Sequence, residues 1–309
     1  MPVNDFNYNE FYLRKHLNIN WLRPESALWD AIAARCLSKE LMGKEDILEI
    51  GIGNGFFSFL MLGGSFSPDF DWYYSVNTNG FWENSDIYDY DSGVPIDRYI
   101  ESMPETRIKV GVDHKNTLLN QAARLGYIDN LILHDCNLPL SIDKKITTIY
   151  SNIFYWLKDP IQSIHEIGNL LPPGGEIVAV FPNSTFYKEC TSYNRTDKLS
   201  VLINRGRVNL NNWHMDLADF EKEIKKRGVF ELKSYSRYLS PLVLKIWDIG
   251  LRPLSIPLIK MANSLSSEIR LEIKDEWCNT IEQFAFPLLE NEMEFGHKYG
   301  GYNLVVLKK

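Results

Sequence analysis

Glu49-Ile50-Gly51-Ile52-Gly53-Asn54-Gly55 sets three glycines at alternate positions, behind the apolar run Ile47 to Ile50 and ahead of Phe56, Phe57, Phe59 and Leu60. Glycine has no Cβ and tolerates positive φ, so such a stretch turns sharply and lets backbone approach a ligand closely. A helix starting behind the turn directs its free N–H groups at that ligand. The spacing excludes two ligand classes. A dinucleotide fingerprint needs a third glycine where this chain has Phe56, and a phosphate-cradling loop needs a following Lys-Ser/Thr that is missing. Three carboxylates complete the chemistry-bearing set: Glu49 before the glycines, Asp113 in Gly111-Val112-Asp113, and Asp135 in His134-Asp135-Cys136.

These residues need a scaffold, and the hydrophobic pattern predicts one. Strands are predicted at Asp46 to Ile50, Lys109 to Asp113, Asn130 to Leu133, Thr147 to Tyr150 and Glu176 to Phe181, with a final strand at Tyr302 to Leu307. Helical patterns separate them, one through Leu118, Leu119, Ala122 and Leu125, another from about Pro160 to Leu171. Strands alternating with helices imply β-α-β units and a mostly parallel sheet covered on both faces. Ligands of such sheets sit at the carboxyl ends of the strands, where the glycines, Asp113 and Asp135 all fall. Residues 1–45 read as a helical N-terminal segment, with Pro24 suited to a first helical position. Residues 46–183 form the α/β core, and 184–309 add helices on the substrate side before the last strand.

Composition narrows the function classes. A net charge of −7 argues against a broad nucleic-acid surface, which needs clustered Lys and Arg. Cys36, Cys136, Cys190 and Cys278 stand far apart with no C-x-x-C pair, so neither a metal knuckle nor a redox dithiol is indicated, and reduced thiols in a cytoplasmic protein are expected. The N-terminus lacks the basic and apolar blocks of a secretion signal. The most apolar long segment, Leu239 to Ala262, is interrupted by Lys245, Asp248, Arg252, Pro253, Pro257 and Lys260, which excludes a transmembrane helix and leaves room for contact with a membrane surface.

From Ile47 to Asn183 the chain resembles the class I S-adenosylmethionine (SAM)-dependent methyltransferases, through the glycine loop, Asp113, the His134-Asp135-Cys136-Asn137-Leu138-Pro139 run and Leu170-Leu171-Pro172-Pro173-Gly174-Gly175, all in the family's order. The resemblance implies a Rossmann-like α/β fold, mostly parallel with an antiparallel last strand, and SAM as cofactor. It implies that Gly51, Gly53, Asn54 and Gly55 cradle the cofactor, that Asp113 with His114 accepts from the ribose hydroxyls, and that Asp135 with Cys136 receives the adenine. Glu49 or the Gly51 carbonyl faces the methionine ammonium, and Ser151 lies beside it after the fourth strand.

One departure is large. The ribose acid is expected roughly 20 residues past the loop, yet Asp113 lies roughly 60 past Gly51, so an insert occupies about 63–107. It is rich in aromatics and acids, Tyr73, Tyr74 and Trp82 among them, and reads either as a substrate wall or as a subdomain or homodimer contact. After the fourth strand, Asn152-Ile153-Phe154-Tyr155 lacks the two prolines common in enzymes that methylate base amino groups, which favours a small-molecule acceptor. The order of motifs beyond Phe181 has a looser resemblance to methyltransferases of bacterial surface-polysaccharide synthesis, which implies a sugar hydroxyl. A small amine is the alternative acceptor, with the acidic insert as cation trap, and a non-catalytic SAM-binding partner protein is a third reading. For a hydroxyl acceptor the candidate general base is His214, beside Trp213 and Asp216, with Tyr155 and Trp213 as substrate contacts; a helix-start histidine with Asp216 as cap is the competing structural role.

Overall fold

The computed structural model describes residues 3–74, 76, 93–190, 213–249 and 254–309, the side chains of 3–11 excepted. Helices α1 (Val3–Asn20) and α2 (Pro24–Leu41) precede strand β1 (Ile47–Ile50), the glycine turn and the short α3 (Phe56–Met61). A two-stranded hairpin, β2 (Ser65–Phe66) and β3 (Ile100–Ser102), belongs to the insert. Then follow β4 (Ile108–Asp113), α4 (Asn116–Ala123), β5 (Leu131–Leu133), β6 (Thr148–Ser151), α5 (Pro160–Gly168), β7 (Glu176–Pro182) and α6 (Ser184–Glu189). The chain continues through α7 (Leu217–Arg227), β8 (Glu231–Tyr238), α8 (Pro241–Ile249), α9 (Ser255–Asn263), the long α10 (Ser267–Tyr299) and β9 (Tyr302–Lys308).

Seven strands form one sheet in the order β5-β4-β1-β6-β7-β9-β8. β9 runs antiparallel to both neighbours, and the pairings among β5, β4, β1, β6 and β7 are all parallel. This is the Rossmann-like topology expected above, with its one antiparallel strand. The chain builds outward from β1 through β4 to β5 and then returns to lay β6 on the other side of β1. The crevice for a ligand therefore opens at the carboxyl ends of β1 and β6.

The pleat divides the core in two, because successive side chains of a strand point to opposite faces. Leu48 and Ile50 face a cluster with Ile161, Ile164 and Ile167 of α5 and Phe220 and Ile224 of α7. Ile47 and Tyr150 face the other cluster, built from α1, α2, α3 and parts of α8 to α10. Local sequence starts these helices. At α5 the Asp159 carboxylate accepts from the Gln162 N–H and Pro160 takes the first turn, where a missing N–H costs nothing.

The strand β8 was not predicted from the pattern. Its residues alternate poorly because the register shifts between Leu232 and Ser234, and it lies at the sheet edge with half of its residues exposed. The described part of the insert is packed rather than projecting: Phe66, Phe70, Trp72 and Tyr73 are buried in the first core, and Phe56 meets Phe66, Phe70 and Trp72 edge to face at 5.1–5.8 Å. Trp82 lies outside the described residues.

Candidate functional site

The three glycines all have positive φ, +76° at Gly51, +59° at Gly53 and +76° at Gly55, and each has a different further reason to be glycine. A Cβ on Gly51 would stand 2.3 Å from the Ile153 side chain, so Gly51 lets β1 and the segment after β6 close together. A Cβ on Gly55 would meet Leu125 at 3.0 Å where the residue caps α3. A Cβ on Gly53 would meet nothing within 4 Å. Gly53 is thus the position whose backbone faces open space, the geometry a ligand cradle requires.

Asp113 is brought to this point from β4. One carboxylate oxygen accepts from the Gly53 N–H at 2.9 Å and the other from the Lys115 N–H at 2.9 Å. A carboxylate oxygen accepts more than one bond, so acceptor capacity remains for hydroxyls. His114 Nδ1 lies 3.5 Å from the same carboxylate. The loop is further latched by Gly51 and Ile52 N–H groups donating to the Val112 carbonyl, at 2.8 and 3.0 Å. The Asn54 side chain accepts from the Phe56 N–H at 3.2 Å.

Glu49 sits beneath the loop rather than on it. It is buried, the Ser58 hydroxyl donates to its Oε1 at 2.5 Å, and Oε2 has no hydrogen-bond partner among the described residues. Burial, with the Asp113 charge adding to it, raises its carboxyl to about 8. The Tyr150 hydroxyl on the neighbouring strand is likewise buried without a partner among the described residues.

The Glu49 shift makes a stability prediction with a definite sign. Folding raises its affinity for a proton, from an ordinary 4.5 to about 8, so the native chain binds more protons than the unfolded one between those values. Stability then falls as pH rises through that window and levels off above it. Asp30, raised to about 7 by burial, acts in the same direction. Glu49→Gln is expected to flatten this fall, gaining stability over the parent chain at alkaline pH and little near pH 5, as urea melts across the range would report.

Asp135 is exposed, and the backbone and side-chain amides of Asn137 hold its carboxylate below the usual range. Between it and Asp113 the half-buried Cys136 thiol is pushed up to about 12, chiefly by burial and then by the two acids. Such a thiol is a neutral contact surface and no nucleophile. The Ser151 hydroxyl donates to the Ile50 carbonyl at 3.0 Å and accepts from the Ile153 N–H at 3.1 Å, stitching the carboxyl ends of β1 and β6.

The substrate candidates separate into different places. Tyr155 joins an aromatic cluster whose members the sequence pattern did not single out together: its hydroxyl is 3.4 Å from that of Tyr302, and Trp29 lies 5.0 Å from Tyr302 and 4.5 Å from Trp247. Phe186 meets Trp29 and Tyr302 edge-on. Exposed His214 lies tilted against Tyr187, ring centroids 4.3 Å apart, and Tyr187 in turn meets Phe186. Asp216 stands at the N-cap of its helix, but its side chain makes no capping bond there; it accepts from the N–H and hydroxyl of Ser184. Trp213 instead packs on Phe181 in the other core. Tyr73 is buried with its hydroxyl near Asn20, and exposed Tyr74 lies under Arg270.

Acidic groups on α2 were also missed. Buried Glu25 has neither oxygen hydrogen-bonded among the described residues, with Arg23 Nε 3.7 Å from one of them. Asp30 accepts from Asn20 at 3.3 Å. No motif announces these groups, because their burial is made by packing.

No family model matches the chain, and no curated protein does. Among solved structures it is similar to a SAM-dependent methyltransferase from Geobacter sulfurreducens in complex with S-adenosyl-L-homocysteine, at 13% identity and TM-score 0.44 over 89% of each chain. It is also similar to the plantazolicin methyltransferase BpumL, at 14% identity and TM-score 0.43 over 98% of each chain. A third similar structure is the [4+2]-cyclase SpnF, at 12% identity and TM-score 0.43 over 90% of this chain and 80% of that one.

Proposed function

We propose that the chain is a SAM-dependent methyltransferase acting on a small molecule. The observation that carries this reading is the pairing of Asp113 with the Gly53 amide at the carboxyl end of β4, beside the one loop glycine that faces open space. The residues fit the cofactor: Asp113 for two ribose hydroxyls, Asp135 and Cys136 for the adenine, and the Gly51 carbonyl with the unpartnered Glu49 Oε2 toward the methionine ammonium. When bound, SAM supplies a sulfonium methyl that a nucleophile displaces in line.

The protein's own part is placement, and holding two reactants in line supplies roughly 7–11 kcal/mol of such a barrier. The leading acceptor is a hydroxyl of a sugar or sugar-linked intermediate. The half-buried rings of Tyr155 and Trp29, which buried Tyr302 joins, suit a sugar ring, and His214, tilted against Tyr187, would take the hydroxyl proton on its imidazole. A second reading, a small amine, is favoured by buried Glu25, whose two oxygens have no hydrogen-bond partner among the described residues, with half-buried Asp30 on the same helix, which together would hold an ammonium.

Calorimetry with SAM and with NAD tests the first statement. Saturable heat with SAM and none with NAD is expected, and the reverse would sink it. Mass spectrometry after incubation with nucleotide sugars and with small amines then tests the acceptor. His214→Gln should slow a hydroxyl acceptor while leaving SAM binding intact, whereas Glu25→Gln should weaken an amine.

A further inference from the structure

Helices α8 and α9 each expose apolar residues on the side away from their buried positions. On α8, Leu242 and Ile249 stand seven residues apart, opposite buried Val243 and Leu244, with half-buried Ile246 between them resting against the core; Leu242 is 41% exposed and Ile249 68%. At α9 the same seven-residue spacing is held by Leu254, at the N-cap, and Met261, opposite buried Ile256 and Ile259, with half-buried Leu258 between them resting against the core; Leu254 is 50% exposed and Met261 66%. Residues seven positions apart lie on one side of a helix, and the exposed apolar pair recurs at both helices, whereas apolar residues scattered singly need no explanation.

Charge identifies the occupant. In an acidic chain, residues 239–265 carry Lys245, Arg252 and Lys260 and a single acid, Asp248, which is buried. Lys260 is exposed beside the α9 residues, and Lys245, beside those of α8, is also exposed while pairing with Glu189 at 3.0 Å. Acids return only at Glu268 and Glu272, where α10 begins. Exposed apolar residues with a cationic fringe match an anionic bilayer surface. A second copy meeting this face symmetrically would set the same cations against each other. Among the described residues no helix is long and apolar enough to cross a membrane, so the contact lies on the surface.

We propose that α8 and α9 dock the protein on an anionic lipid surface, with Leu242, Ile249, Leu254 and Met261 entering the interface and Lys260 meeting lipid phosphates. Trp247, also on α8, packs tilted against Trp29, which connects the docking helix to the aromatic cluster of the candidate site. The proposal does not depend on the methyl-transfer reading.

Flotation of the full chain with mixed phosphatidylcholine–phosphatidylglycerol vesicles tests it, against phosphatidylcholine alone and against high salt. The chain is expected to float with the mixed vesicles and much less with the other two. Ile249→Ser with Met261→Ser should weaken binding roughly tenfold or more, since each loses an apolar side chain from the interface. Lys260→Glu should weaken it too. Circular dichroism melts unchanged from the parent chain would show that the variants, altered only at exposed positions, are folded. Failure to float, equal flotation of the double variant, or a concentration-dependent dimer abolished by that variant would each overturn the proposal, the last assigning the face to a second copy.

Discussion

Arg270→Met is expected to destabilise the protein by about 3–5 kcal/mol, the cost of stranding one partner of a buried ion pair. Arg270 Nε lies 2.5 Å from Asp71 Oδ2, and the two residues are 1% and 5% exposed. Asp71 also accepts from the Trp21 indole at 3.1 Å and the Tyr73 N–H at 2.9 Å, and Arg270 donates to Asn263 at 2.8 Å and lies over Trp21. Removing the guanidinium leaves a carboxylate in the core with neutral donors alone. Asp71→Asn in the Arg270→Met background should recover much of the loss, because an amide in that place carries no charge to desolvate. Urea melts of the parent chain, both single variants and the double variant measure the coupling. A loss below about 1 kcal/mol for Arg270→Met would mean that the pair is no more than a surface contact in energy. The pair ties α10 to the described start of the insert, as does Lys274, which donates to Asn18 and to the Pro68 and Phe70 carbonyls. Burial lowers the Lys274 ammonium to about 8, so this second clamp weakens in mildly alkaline solution.

Asp113→Ala is expected to cut SAM affinity by about a hundredfold or more, with the fold retained. Hydrogen bonds to a charged group contribute about 1.5–3 kcal/mol each, and about 2.7 kcal/mol is a hundredfold. The substitution removes the acceptor proposed for the ribose and also frees the Gly53 amide from its anchor, so the cradle loses both contact and preorganisation. Asp113→Asn should do little better, since an amide NH2 would have to face the Gly53 or the Lys115 N–H, donor against donor. Calorimetry with SAM on both variants is the measurement, and unchanged affinity would move the cofactor elsewhere.

How far the sequence reached follows from the range of the interactions involved. The glycine turn, its strand and the Asp113 strand were legible because each is a local pattern: alternate glycines admit positive φ wherever they stand, and an apolar run ending in an acid marks a strand end. The β8 edge was not, since its register shift breaks the alternation that reveals a strand. Glu49 could be picked out as an acid before the loop, yet its place beneath the loop depends on Ser58, which donates to it, and on the burial that packing around it produces.

Residue spacing by itself determined the parallel strands of the sheet, its last antiparallel strand and the residues offered to a cofactor at the strand ends. Tertiary structure alone decided the rest. It drew Trp29, Tyr155, Phe186, Trp247 and Tyr302 into one cluster, buried Glu25, and joined Asp71 to Arg270 across 199 residues. The physical reason is that a backbone turn is specified by the few residues in it, whereas desolvation of a charge or a ring is a property of everything packed around it.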